Sequence, residues 1–235
     1  LVLVFSFVLS ELCLPAENRI YVRARTSSQQ KQGYINNAVV VTEPHGPYTE
    51  HSVYAEYTDN LAFPGIPDLE IVHKFELPEG AIVHDLWLWV GNNVMKGLIL
   101  DTWTARTKYD SIVAWRVDPA LLYKSGDQYE LRIYPLISGQ SRRIKMTYIV
   151  PTKWVGGSAS AELPYKYLNA SGGATLPVDV MFRTTQDAYR FPLLKEQITT
   201  PFYFAADTLG YIYQKCRVPN LKSLTSLNIQ YNAHY

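Results

Sequence analysis

Five side chains between residues 43 and 56 hold the densest potential for chemistry in this chain of 235 residues: Glu43, His45, Glu50, His51 and Glu56. Imidazole nitrogens and carboxylate oxygens are ligands that zinc and its neighbouring transition metals accept. His45 and His51 lie on either side of the turn-forming Gly46-Pro47, so their convergence depends on the fold and not on a local spacing. The expectation is a polar surface loop with no bound metal. Paired carboxylates come next, and Asp101, Asp110 and Asp118 supply the residue type. Glycoside hydrolysis would need two of them held about 5–10 Å apart across a cleft. Nothing in their spacing does that, and Asp118, directly before Pro119, reads as a helix cap. The sequence offers no nucleophile elbow, no Cys–His pair and no glycine-rich phosphate loop. No catalytic residue, metal ligand or cofactor is assigned, and the chain is read as not an enzyme.

Aromatic side chains give a binding chemistry in place of a catalytic one. Trp87 and Trp89 alternate with Leu86, Leu88 and Val90, while Tyr165/Tyr167 and Tyr211/Tyr213 repeat at strand spacing. Such stripes stack on sugar rings, anchor a protein partner, or bury against a second layer. Composition narrows the partner. Lys+Arg 22 against Asp+Glu 21 leaves a net charge of +1, so no basic face for nucleic acid is implied. The two cysteines, Cys13 and Cys216, stand in no metal spacing; a disulfide and two free thiols are both open.

The elements that must position these residues are mostly strands. Val53, Ala55 and Tyr57 alternate with Tyr54 and Glu56; Ile71, His73, Phe75 and Leu77 share one face, which makes His73 a hydrogen-bonded core residue. Gly91-Asn92-Asn93 turns a hairpin between 86–90 and 94–100. Tyr129–Tyr134 and Arg143–Val150 alternate on either side of the turn Ser138-Gly139-Gln140. Arg142, Arg143 and Lys145 are expected on a solvated strand face within reach of Glu130. A helix is expected over 105–113, with Ala105, Tyr109, Ile112 and Val113 on one side, and a helical turn from Asp118-Pro119 should bring Leu121 and Leu122 onto the sheet. The expected fold is all-β, an antiparallel sandwich with one short helix and additional C-terminal strands.

Three regions are expected. Residues 1–37 combine an apolar start with a polar linker, in which 27–33 is a loop; 38–151 form the sandwich; 152–235 form a C-terminal β region packed on it. The apolar run Leu1–Leu9 is shorter than the roughly 20 residues that cross a bilayer. It reads as a signal-peptide core, the tail of a membrane helix or a strand, and the first two would place the folded part outside the cytoplasm.

The ordered set Phe75, Leu77, Pro78 and Ala81, then Gly97, Ala105 and Tyr109, Asp118-Pro119-Ala120-Leu121-Leu122, Tyr129–Pro135, Arg142-Arg143-Ile144 and Tyr148 resembles the VIT domain, the vault protein and inter-alpha-trypsin inhibitor domain. The likeness runs from about Val39 to Val150, and the D-P-A-L-L variant is similar to bacterial membrane-associated or secreted members. The resemblance implies a β-sandwich that usually precedes a von Willebrand factor A domain, and it implies no catalytic residues. The metal loop D-x-S-x-S of that neighbour is matched neither at Asp110-Ser111-Ile112 nor at Asp207-Thr208-Leu209. Together these readings give a non-catalytic interaction or scaffold module, membrane-anchored or secreted, binding an unidentified protein partner. Membrane association would come through the N-terminal segment. The expected contact residues are Trp87, Trp89, His45 and His51. The alternative is a carbohydrate-binding sandwich that uses the exposed aromatic rings.

Overall fold

The computed structural model describes residues 18–66, 68–97, 120–184, 188–196 and 200–233. The expected helix over 105–113, with the motif positions Ala105, Tyr109, Asp118 and Pro119, lies outside the described residues, as do Cys13, Asp101 and Asp110. The rest is all-β, as the alternation anticipates, and holds one short helix at a different place, Tyr165–Asn169.

Three sheets form. The first has five strands: β1 (Arg19–Ala24), β2 (Gln30–Gln32), β5 (Leu69–Glu76), β8 (Ala120–Ser125) and β9 (Gln128–Leu136), in the order β2-β1-β5-β9-β8. The second has eight: β3 (Tyr34–Pro44), β4 (Tyr48–Thr58), β6 (Ile82–Val90), β7 (Asn93–Lys96), β10 (Ser141–Pro151), β13 (Val178–Phe182), β15 (Tyr203–Ala206) and β16 (Ile212–Val218). Their order is β15-β16-β13-β3-β4-β10-β6-β7. A third sheet, β11-β12-β17-β14, joins β11 (Lys153–Val155), β12 (Ser158–Glu162), β14 (Tyr189–Leu194) and β17 (Asn228–Ala233). The helix α1 spans Tyr165–Asn169.

Strand parity decides the layers. Val40, Val53, Ala55, Tyr57, Ile144, Met146 and Tyr148 point inward from the large sheet, and Ile20, Val22, Ile71, Phe75, Leu131 and Ile133 point inward from the five-stranded one. One continuous core results. Leu77, Pro78 and Ala81, the motif residues beside β5, lead from it into β6, with Leu77 packed on the core and Ala81 buried. Polar ties cross between layers inside it. The Tyr57 hydroxyl is 2.8 Å from Nδ1 of His73 and 2.5 Å from the hydroxyl of Tyr167 on α1. Thr49 bonds to Tyr231 of the third sheet at 2.8 Å and to Thr152 at 2.8 Å. Satisfied buried polar groups of this kind fix how layers register, because a slip would leave each of them unpaired in a low dielectric.

Four elements differ from the sequence reading. The polar stretch expected as a linker contains β1 and β2; Ile20, Val22 and Ala24 bury on alternate positions, and Gly33, with Cβ space closed to 2.5 Å by Ile20, lets the chain pass close to β1. Leu121 and Leu122 lie in β8, not in a helical turn, because Leu121 and Tyr123 share one face and Leu122 packs on the other. The turn at 138–140 joins β9 and β10 across two different sheets, so Glu130 pairs with Lys74 and Arg132 and not with the basic residues of β10. Tyr165 and Tyr167 sit on α1.

Candidate interaction face

The outward side of the eight-stranded sheet gathers most of the side chains singled out above. Parity on β6 turns Trp87 and Trp89 outward, as their alternation with Leu86 and Leu88 requires. Both rings are half-buried, and the cover is cationic. Lys145 lies 4.4 Å and Lys96 4.7 Å from the Trp87 ring centre, and Arg143 lies 4.5 Å from that of Trp89. The basic residues of β10 thus serve as cation–π lids, an arrangement of about 0.5–2 kcal/mol per contact. Toward β13 the same face sinks into an open concavity of about 350 Å³. Val39, Val41 and Met181 floor it, Tyr54 walls it, and Arg143, Arg183 and Glu56 stand at its rim. Burial raises the Tyr54 hydroxyl pKa, against the field of Arg183.

His45 and His51 part company. His45 is exposed at the turn between β3 and β4, stacked on Tyr48 at 5.1 Å between ring centres. Its backbone N–H closes the hairpin on the Tyr48 carbonyl at 2.9 Å, with Gly46 at φ +74°. His51, expected on the surface, has 0% exposure: it shares inward parity with Val53 and bonds through Nδ1 to Thr42 Oγ1 at 3.0 Å. Burial pulls its pKa down to about 3, so it stays neutral and unreachable. His73, expected in the core, is there; burial likewise pulls it to about 3, against the opposing pull of the Tyr167 backbone carbonyl. Tyr148 is fully buried against the His51 ring, 5.3 Å between centres, and burial drives its hydroxyl pKa well up. Gly97 closes on the Leu86 carbonyl, where an added Cβ would meet that oxygen at 3.1 Å.

The C-terminal strands over 203–206 and 211–216 are expected from the sequence, but their exposure is not. At the edge of the large sheet, the hairpin of β15 and β16 exposes Tyr203, Phe204, Leu209, Tyr211 and Ile212 together, with Leu209 81% and Phe204 75% exposed. Its turn is well built: the Asp207 carboxylate accepts the backbone N–H of Leu209 at 2.9 Å and of Tyr211 at 3.0 Å.

The fold and this face define an all-β multi-sheet protein with an aromatic, mixed-charge outer surface. Residues 40–148 match the family model described as Vault protein inter-alpha-trypsin domain. No curated protein matches the chain. Among solved structures, Legionella pneumophila aminopeptidase A in complex with aspartic acid is similar in fold over 90% of this chain, with a TM-score of 0.50 and 10% identity. This chain spans 23% of that one.

Proposed function

We propose that the chain is a non-catalytic interaction module and that the β15–β16 hairpin is its docking element for a protein partner. The observation that carries this is the cluster of five large apolar side chains exposed on ten consecutive residues of an ordered edge hairpin. Exposed apolar patches of this kind mark binding sites, and β15, the last strand of its sheet among the described residues, offers an edge that an extended partner segment can use. The one charge at the tip is the acidic Asp207, which suits a protein surface better than an anionic bilayer. The non-catalytic reading rests on the family likeness, which carries no catalytic residues. A von Willebrand factor A domain is the first partner to test, and an extracytoplasmic, membrane-anchored or secreted setting goes with it, both on the family likeness alone.

A photo-crosslinking residue at position 211 of the natural protein, in its own cells, tests the proposal. Adducts to one protein or to another domain of the same polypeptide are expected, and they should vanish with Leu209→Ser and Phe204→Ser. Adducts to lipid, or none to protein, would defeat it. The carbohydrate reading through Trp87 and Trp89 is weaker, since Lys96, Lys145 and Arg143 occupy ring faces that a sugar would need.

A further inference from the structure

We infer that the β3–β4 turn and the bulge of β6 form a binding site for a divalent transition-metal ion of the zinc type, held by Glu43, His45 and Glu50 with His84 as a fourth donor. Glu43 and Glu50 are register partners on β3 and β4, directly opposite one another on the outer face. Two carboxylates so placed repel, and the sheet keeps them only where cationic charge compensates. Single donor atoms of Glu43, His45 and Glu50 all lie within 4.8 Å of one another. Tetrahedral zinc, with bonds near 2.0–2.2 Å, asks its donors to stand about 3.3–3.6 Å apart, so modest side-chain rotation closes the set.

His84 arrives by a separate device. The β6–β10 register steps from Thr147↔Asp85 to Tyr148↔Val83, leaving His84 as the extra residue of a bulge. Bulges re-aim side chains, and here Nε2 of His84 hydrogen-bonds Oε2 of Glu50 at 3.1 Å; it stands outside the mutual 4.8 Å set and joins it by rotating beside Glu50. The turn is rigid as well: Tyr48 stacks on the His45 ring, and Trp154 Nε1 donates to the Gly46 carbonyl at 3.0 Å. Mixed imidazole and carboxylate donors select zinc or copper over calcium and magnesium. The competing cation is Arg183, whose Nη1 is 3.3 Å from Oε1 of Glu43.

The test is calorimetric titration of the whole chain, freed of any polyhistidine tag, with Zn²⁺. One site is expected, weakened roughly tenfold or more by each of His45→Ala, Glu50→Gln and His84→Ala. These residues are at least partly exposed, and a melting curve for each variant checks that it folds. Arg183→Ala frees Glu43 and should tighten zinc several-fold, an effect that a purely structural ion pair would not give. Zinc binding indifferent to His45→Ala and Glu50→Gln, equal affinity for Ca²⁺, or no binding at millimolar zinc would each overturn the assignment. None of these results depends on the hairpin's partner.

Discussion

His51 and His73 show how a titratable residue can be structural. Both are fully buried, and burial holds both near pKa 3, below the ordinary imidazole value. Below about pH 6.5 the unfolded chain therefore binds protons that the folded chain refuses, and stability rises with pH across that range. It is complete above pH 6.5 and falls as acid is added, until the folded state also takes protons near pH 3. Each histidine steepens the loss by up to about 1.4 kcal/mol per pH unit. Urea unfolding between pH 7 and 4 should show this slope, and His51→Asn should make it shallower while lowering stability throughout; an unaltered slope would place the acid sensitivity elsewhere. Tyr57→Phe removes the hydroxyl that joins His73 to Tyr167 and should cost about 1–3 kcal/mol in the same measurement. His73 was legible in the sequence because its neighbours on alternate positions are all apolar. His51 was equally legible by its parity with Val53, but its nearness to His45 and Glu50 drew it into a surface cluster. Where a polar residue shares the phase of a strand's apolar face, phase outranks nearness in sequence.

At the scale of elements, the loop after β4 and the turn before β10 hold each other. Asp59 accepts the Gly139 N–H at 2.8 Å and the Ser138 hydroxyl at 2.5 Å, with weaker bonds from Phe63 and Leu61. Burial works against ionising this carboxyl, yet the four bonds outweigh it and hold its pKa below the ordinary range. Its contribution is present above the unfolded carboxyl pKa and is lost as pH falls through the folded one, the same direction as the histidines. Asp59→Ala should destabilise by roughly 1–3 kcal/mol, through donors left unpaired. Gly139→Ala meets two obstacles, φ +81° and a Cβ 2.4 Å from Cδ2 of Leu61. Leu61→Ala should relieve the second but not the first, so a double-mutant cycle should show recovery of only part of a loss of about 1–3 kcal/mol. Turn residues were readable here from Ser138-Gly139-Gln140, as was the β6–β7 hairpin from Gly91-Asn92. What the turn joins was not readable, because a short connection within a sheet and one between two sheets use the same local chemistry.

The whole molecule is held together by a pairing that no local pattern announces. β13 adds to β3 in parallel, from Val178↔Ala38 to Phe182↔Thr42, and through it β16 and β15 extend the large sheet. This is the one parallel contact among the described strand pairs, made between residues some 140 positions apart. Parallel pairing at such separation leaves no hairpin signature, whereas Val178, Val180 and Phe182 read only as a generic strand. Its consequence is that the matched stretch 40–148 sits in the middle of a larger sheet, with partners for β3 and for the five-stranded layer supplied from outside it. A fragment ending at residue 151 would lose β13 from β3, baring the edge from Ala38 to Thr42 that carries Val39 and Val41, and would lose Tyr231 and Tyr167 from the core ties. Unprotected apolar edges recruit other chains. The fragment 18–151 should therefore aggregate or melt without a sharp transition, while the full chain unfolds in one cooperative step by both fluorescence and circular dichroism. If the fragment instead melts sharply at the temperature of the full chain, the parallel pair contributes nothing to the cooperative unit. The stretch that carries the family likeness would then fold without its neighbours, and the third sheet would be an independent passenger.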